Sequence, residues 1–316
     1  MGDILPLLLT LFGLVAVGHL LRATAVLPAT APDVLARVIL HVTMPALIVV
    51  ILARARYDGA LLPALLATTV ALLVALMLGV LLLRALGAPR PSQGAAGLVA
   101  SFSNTAFLGV PFILALFPGG SSAATAAVII DTVDTTILLL TLGAAVAGAM
   151  AGERAAATPR GPRIWPQKLR TLLRQPMIVA VILGLGLAAT GVALPAALAE
   201  PLTRIGQTTP TLAFLTIGLS LDLRSLRGLA APLAGIAAIK LVVSPAIAGL
   251  VLLALGVRGE VADTAVLQAA MPTAVVSAII AANAGCDARL ASAAAVVTTL
   301  LSLLTLPLVV VILRAL

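Results

Sequence analysis

A single cysteine, Cys286, and only two histidines occur in the 316 residues. One thiol forms no internal disulfide and supports no multi-cysteine metal or cluster site. His19 and His41 fall on separate apolar segments without a His-x-x-x-His spacing, which removes a histidine metal centre as well. No Gly-x-Ser-x-Gly elbow, phosphate-binding P-loop or dinucleotide glycine pattern occurs, so hydrolase and nucleotide-driven pump chemistry are disfavoured. Charge is scarce too: 9% of residues are charged against 62% hydrophobic. That is far more apolar surface than a soluble chain of this length buries, and it points to an integral membrane protein with no soluble domain.

Apolar runs recur along the whole length, each long enough to cross a hydrocarbon layer of about 30 Å as a helix. The spacing predicts ten spans, at about 4–21, 33–53, 60–86, 94–117, 122–150, 171–190, 197–222, 229–256, 261–284 and 288–313. The first lacks the basic leader of a secretory signal and is read as a retained span. The only substantial loop, 152–170, carries Arg154, Arg160, Arg163, Lys168 and Arg170 with three prolines. With both termini outside, thirteen Lys/Arg fall on the inner side and five on the outer, with Lys240 inside a span. The positive-inside rule selects that orientation, and the net charge of +8 reports topology rather than nucleic acid.

The loop separates halves that echo each other: 1–150 and 171–316, with 151–170 as basic linker. Leu27-Pro28 answers Leu194-Pro195, Pro45 answers Pro210, Leu86-Gly87 answers Leu255-Gly256, and Pro111 answers Pro272. The offsets are 167, 165, 169 and 161. Five spans is an odd number, so the second half enters the membrane from the opposite face. The expected fold is therefore an all-α membrane protein of two inverted five-helix repeats with crossed, broken helices four and nine.

Span four holds the polar run Ser101-Phe102-Ser103-Asn104-Thr105, then Gly109 and Pro111. Pro111 has no N–H and clashes with the carbonyl of residue 107, which predicts a break there and a freed acceptor; span nine is expected to break at Pro272. Crossed breaks bring together half-helix N-termini, each a partial positive charge suited to an anion. The candidate substrate-binding residues are Asn104, Ser103, Thr105, Gly109 and Pro111 from span four. Span nine contributes Met271, Pro272, Thr273, Val275 and Ser277. Each hydroxyl has the competing reading of bonding back onto its own helix.

Asp131 and Asp134 in span five are spaced to share one helical face, and Lys240 lies well inside span eight. Intramembrane charges commonly carry protons or ions, so these three are candidates for coupling or charge balance. The rival readings are solvation near the outer interface for the aspartates and snorkelling toward the inner face for Lys240.

The stretch Asn104-Thr105-Ala106-Phe107-Leu108-Gly109-Val110-Pro111 resembles the Asn-Thr-x-x-x-Gly-x-Pro motif of the auxin efflux carrier family, PIN-formed-like proteins and bacterial malate or malonate permease relatives. Leu255-Gly256-Val257-Arg258-Gly259 and Gln268-Ala269-Ala270-Met271-Pro272 resemble that family's entry into its ninth span. Ile217-Gly218-Leu219-Ser220-Leu221 and Leu306-Pro307 fit as well. The resemblance covers the whole chain and implies a scaffold and a mobile transport unit, elevator-like alternating access and a homodimer. It also implies that Asn104 and the break near Pro272 contact a substrate carboxylate. Ser277 stands where plant carriers have a second proline, and their acid and lysine in span three reduce here to Asp58.

The expectation is a secondary transporter of small organic anions or weak carboxylic acids in a bacterial inner membrane. It needs no cofactor beyond a co-transported proton or sodium, and no catalytic or metal site is assigned. The competing functions are a sodium-coupled symporter of the bile-acid type and a non-transporting membrane sensor on the carrier fold.

Overall fold

The computed structural model describes residues 4–28, 30–55, 58–119, 121–151, 173–220 and 229–315. The expected basic loop 152–170, the first three residues, and Arg56, Arg224 and Arg227 of the charge count lie outside the described residues. Among those described, every regular element is helical, and there is one isolated bridge, between Ser103 and Thr273.

The helices are α1 Ile4–Ala23, α2 Ala31–Ala53, α3 Leu61–Ala85, α4 Arg90–Ser101, α5 Thr105–Leu116 and α6 Ser122–Met150. They continue with α7 Pro176–Thr190, α8 Ala196–Gln207, α9 Thr209–Ser220, α10 Ala230–Ala254, α11 Glu260–Ala270, α12 Val275–Asn283 and α13 Ala288–Ala315. Five of these, α2, α3, α6, α10 and α13, are long and apolar enough to cross a membrane.

Proline is accommodated within these helices by a recurring device. Wide, π-type turns occupy Ile39–Thr43, Thr105–Gly109 and Ile239–Val243. Each is followed two residues later by a proline: Pro45, Pro111 and Pro245. A proline cannot donate to the preceding turn and its ring presses on the carbonyl four residues back; widening that turn relieves both problems. The expectation that Pro111 breaks its helix is therefore corrected. The helix runs through it, with the Leu108 and Gly109 N–H groups both donating to the Asn104 carbonyl at 3.2 and 3.1 Å.

The Leu-Gly pairs that correspond in the two halves close α3 and α10 with the same cap. Gly87 and Gly256 take φ of +70° and +67°, a conformation that a side chain resists. Ala88 N–H then donates to Leu83 O and Val257 N–H to Leu252 O, satisfying carbonyls at the helix ends.

The chain separates into two compact units. One holds α1, α2, α7, α8 and α9 with the described part of 110–128; the other holds α3, α4, residues 105–109 and 129–151, and α10 to α13. In the first, α1 and α9 meet backbone to backbone, since a side chain at Gly18 would collide with the Leu215 carbonyl and one at Gly218 with the Val15 carbonyl. In the second, a Cβ on Gly79 of α3 would lie 2.6 Å from the Ala96 carbonyl of α4. Small residues at such crossings replace hydrophobic driving force with close van der Waals packing, which is what helices in lipid rely on.

Gly18→Val is expected to lower stability in detergent by roughly 1–3 kcal/mol, because backbone cannot yield as a flexible side chain would. Gly13→Ala, where nothing lies within 4 Å, should leave the melting temperature unchanged or raised. Thermal melts of the two variants beside the parent chain check both outcomes.

Candidate functional site

Within the second unit, α4 ends at Ser101 and α11 ends at Ala270, each followed by a short extended stretch before helix resumes. Phe102 takes φ −81°, ψ 119°, and Met271 takes φ −61°, ψ 145°. Pro272 disfavours helical backbone at Met271 and supplies no N–H of its own, which fixes the second interruption locally. The first has no proline, and the polar side chains of Ser103 and Asn104 offer the backbone non-helical partners. The two stretches run antiparallel and join. Asn104 N–H donates to Pro272 O at 2.7 Å, and Ala274 N–H donates to Phe102 O at 2.9 Å.

Each interruption strands carbonyls at the end of the preceding helix, and partners reach across to them. The Thr273 hydroxyl donates to Val99 O of α4 at 2.6 Å, while its N–H donates to the Thr298 hydroxyl of α13 at 3.1 Å. The Lys240 ammonium donates to Ala269 O of α11 at 2.8 Å. Lys240 is fully buried, so its charge is held at the negative end of α11 instead of being extended toward an interface.

The resuming helices are treated unequally. Asn104 Oδ1 accepts the Phe107 N–H at 3.3 Å, an N-cap, and the side-chain amide nitrogen has no partner among the described residues. At the start of α12 no side chain caps the helix; Val275 is 51% and Val276 40% exposed. The Ser277 hydroxyl donates back to Ala274 O at 2.7 Å, so for this residue the bland reading holds. Thr273 is spent on Val99, and Met271, Thr273 and Ser277 are buried. Gly109 makes room for Gln268: a Cβ there would meet the end of that side chain, which would have to shift. Pro111 is buried and sits two residues past the wide turn's end at Gly109.

The carboxylates of α6 are both buried. Asp131 Oδ1 accepts the Thr105 hydroxyl at 2.6 Å, and Thr105 Oγ1 is also 2.6 Å from Thr135 Oγ1. Asp134 Oδ1 instead accepts the Thr69 hydroxyl of α3 at 2.8 Å. The expectation that the pair shares one face is corrected by the wide turn Asp131–Ile137. In such a turn each residue advances less around the axis, so position i+4 rather than i+3 returns to the same row. Thr135 therefore joins Asp131, and Asp134 turns to another helix. A small cavity beside the crossing is lined by Ser103, Thr105, Asp134, Thr135, Ser244 and Gln268, among others.

Sequence reasoning missed Thr69, Thr135 and Thr298, and it saw the Gln268 carbonyl but not its side chain. Thr135 was visible as part of Asp-Thr-Val-Asp-Thr-Thr, and Thr69 as half of a Thr-Thr pair in mid-span. Nothing marked their partners.

All-helical architecture, five membrane-length helices and a buried crossing with charged side chains define an integral, multi-pass membrane protein. The family described as membrane transport protein matches residues 3–310, and the chain belongs to it. It is 28% identical over 313 residues to an uncharacterized transporter of Methanothermobacter thermautotrophicus, covering 95% of each chain. It is 27% identical over 312 residues to a Rhizobium meliloti protein named "Putative malonate transporter", covering 96% of this chain and 94% of that one.

Thr273→Val strands the Val99 carbonyl in a buried site and should cost roughly 1–3 kcal/mol of stability, while Thr273→Ser retains most of it. Melting curves of the two variants distinguish a hydrogen-bond role from a packing role, since packing alone would favour valine.

Proposed function

We propose that this member of the family is a secondary transporter of small carboxylates, built as ten spans in two inverted five-helix halves and binding its substrate where the two helix interruptions cross. The observation that carries the reading is the division of labour in Asn104. Its oxygen caps α5, which leaves its NH2 group to donate, three residues along the crossing from the uncapped start of α12. A carboxylate accepts from both an amide NH2 and free helix N–H groups, and the helix dipole favours its charge.

In this scheme Asn104 and the N–H groups near Val275 hold the carboxylate. Ser103 and Thr105 flank it, and Gly109, Pro111, Met271, Pro272, Thr273 and Ser277 set the backbone that presents it. The unit carrying the crossing is the transport unit and the other the scaffold of an elevator-type homodimer. The chain sits in a cytoplasmic membrane with both termini outside. It performs no catalysis and takes no resident cofactor. The Rhizobium relative's name makes malonate the first substrate to try. An inside-negative potential favours anion exit by about 2.3 kcal/mol per charge per 100 mV, so export needs no coupling while import needs a co-transported cation. Asp131, Asp134 and Lys240 supply the intramembrane charge for such coupling.

Asn104→Asp separates the two roles of this side chain. The carboxylate still caps α5, so the melting temperature should hold, yet its charge opposes an anion. Calorimetry with malonate should show affinity at least about tenfold weaker than the parent chain, equivalent to 1.4 kcal/mol or more. Unchanged affinity in this variant would remove Asn104 from the site.

A further inference from the structure

The contacts around Thr105 hold more oxygens than the hydroxyl protons there can serve. Three close approaches run in series: Asp131 Oδ1 to Thr105 Oγ1 at 2.6 Å, Thr105 Oγ1 to Thr135 Oγ1 at 2.6 Å, and Thr135 Oγ1 to Ser103 O at 3.2 Å. Each is at hydrogen-bonding distance, but the two threonines bring one proton apiece. With Asp131 ionised, Thr105 donates to the carboxylate and one link is left without a hydrogen: either the threonine pair or the Ser103 carbonyl. Two bare oxygens at 2.6 Å would repel, so the threonine pair keeps its hydrogen and the Ser103 carbonyl is the group left unserved. One more proton, on Asp131, serves all three links, each group donating to the next.

Charge counting asks for the same proton. Among the described residues, the buried ionisable side chains of the spans are Asp131, Asp134 and Lys240. Two carboxylates against one ammonium leave a net negative charge at membrane depth, and a single added proton cancels it.

A third observation supplies a route. The hydroxyls of Ser103 and Ser244 have no hydrogen-bond partner among the described residues, although both residues are more than nine-tenths buried, and both line the small cavity that also touches Thr105 and Thr135. Open hydroxyls on the wall of a small cavity give water polar partners, and water is the carrier by which a proton reaches the chain.

We propose that Asp131 is a proton-binding site whose occupancy is read by the crossing: the protonated carboxyl heads a chain through Thr105 and Thr135 to the carbonyl of Ser103, the residue bridged to Thr273. The proton comes from and returns to water, with no other bond made or broken. Losing it breaks the chain at or before the Ser103 carbonyl, one residue from Asn104, so proton and substrate occupancy act on the same three-residue stretch. The other ionisable groups facing this region are accounted for. Asp134 of the same helix is bonded to Thr69 of α3, and Lys240 of α10 to the Ala269 carbonyl of α11. Asp263 and Glu260 of α11 lie in its first turn, at the opposite end from the crossing. The proton site stands on the geometry alone; only its role in coupling rests on the transporter reading above.

Infrared difference spectroscopy of the full chain in lipid, stepped in pH, reads the site without any substrate. The expected result is a protonated-carboxyl stretching band near neutral pH that Asp131→Asn abolishes and Asp134→Asn leaves in place. Should Asp131→Asn fail to fold, Thr105→Val tests the same point, because it removes the acceptor and shifts the band to higher frequency. No band in the parent chain, a band removed by Asp134→Asn alone, or stabilisation by sodium that is indifferent to pH overturns the proposal. Adding malonate to the same samples separates the two readings: a titrating Asp131 band that never responds to malonate leaves the proton site standing and counts against the substrate site.

Discussion

Backbone polar groups at membrane depth must be bonded inside the protein, and the crossing of two helix interruptions concentrates that constraint at one place. Each interruption orphans carbonyls behind it and N–H groups ahead of it, and each such group is costly where water is excluded. The chain answers by exchange. The extended stretches bond each other through Asn104 with Pro272 and Phe102 with Ala274, Thr273 serves Val99, and Lys240 serves Ala269. Three of the four helix ends at the crossing are thereby furnished with side-chain partners, counting the Asn104 cap of α5. The fourth, the start of α12, is left open, and an incoming anion is the partner that its electrostatics favour.

Charge inside this unit follows from the same constraint. A buried ammonium is expensive unless it meets acceptors, and Lys240 is held by a helix C-terminus rather than by a carboxylate. That arrangement leaves both aspartates to threonine hydroxyls: Asp134 to Thr69, Asp131 to Thr105. Thr105 is the hinge between the two themes, because it opens the helix that Asn104 caps and also bonds the carboxyl of α6. A change of charge at Asp131 is thus felt one residue away from the proposed substrate contact.

Much of this was legible in the sequence, in unequal measure. Hydropathy and the scarcity of charge gave a helical membrane protein, and Pro272 marked the second interruption, while the first was expected at Pro111 and falls instead after Ser101. The motif around Asn104 to Pro111 pointed to the family to which the chain belongs. Pro111 misled for a physical reason: a widened preceding turn lets a helix continue through a proline, and Thr105–Gly109 widens. The same effect defeated the shared-face argument for Asp131 and Asp134, since helical periodicity presumes an α-turn that the segment does not adopt. Partners such as Thr69, Thr298 and Gln268 were hidden because their meaning depends on which helices meet, which residue type alone does not encode.

The central claim is that the crossing moves a carboxylate through the membrane and draws on a proton to do so. Uptake of radiolabelled malonate by the purified chain in liposomes, with an imposed pH gradient and no sodium, tests it most directly. The account predicts accumulation on the alkaline side that collapses when a protonophore is added. Malonate that binds the protein but never crosses, or crosses with no regard to the gradient, would contradict it.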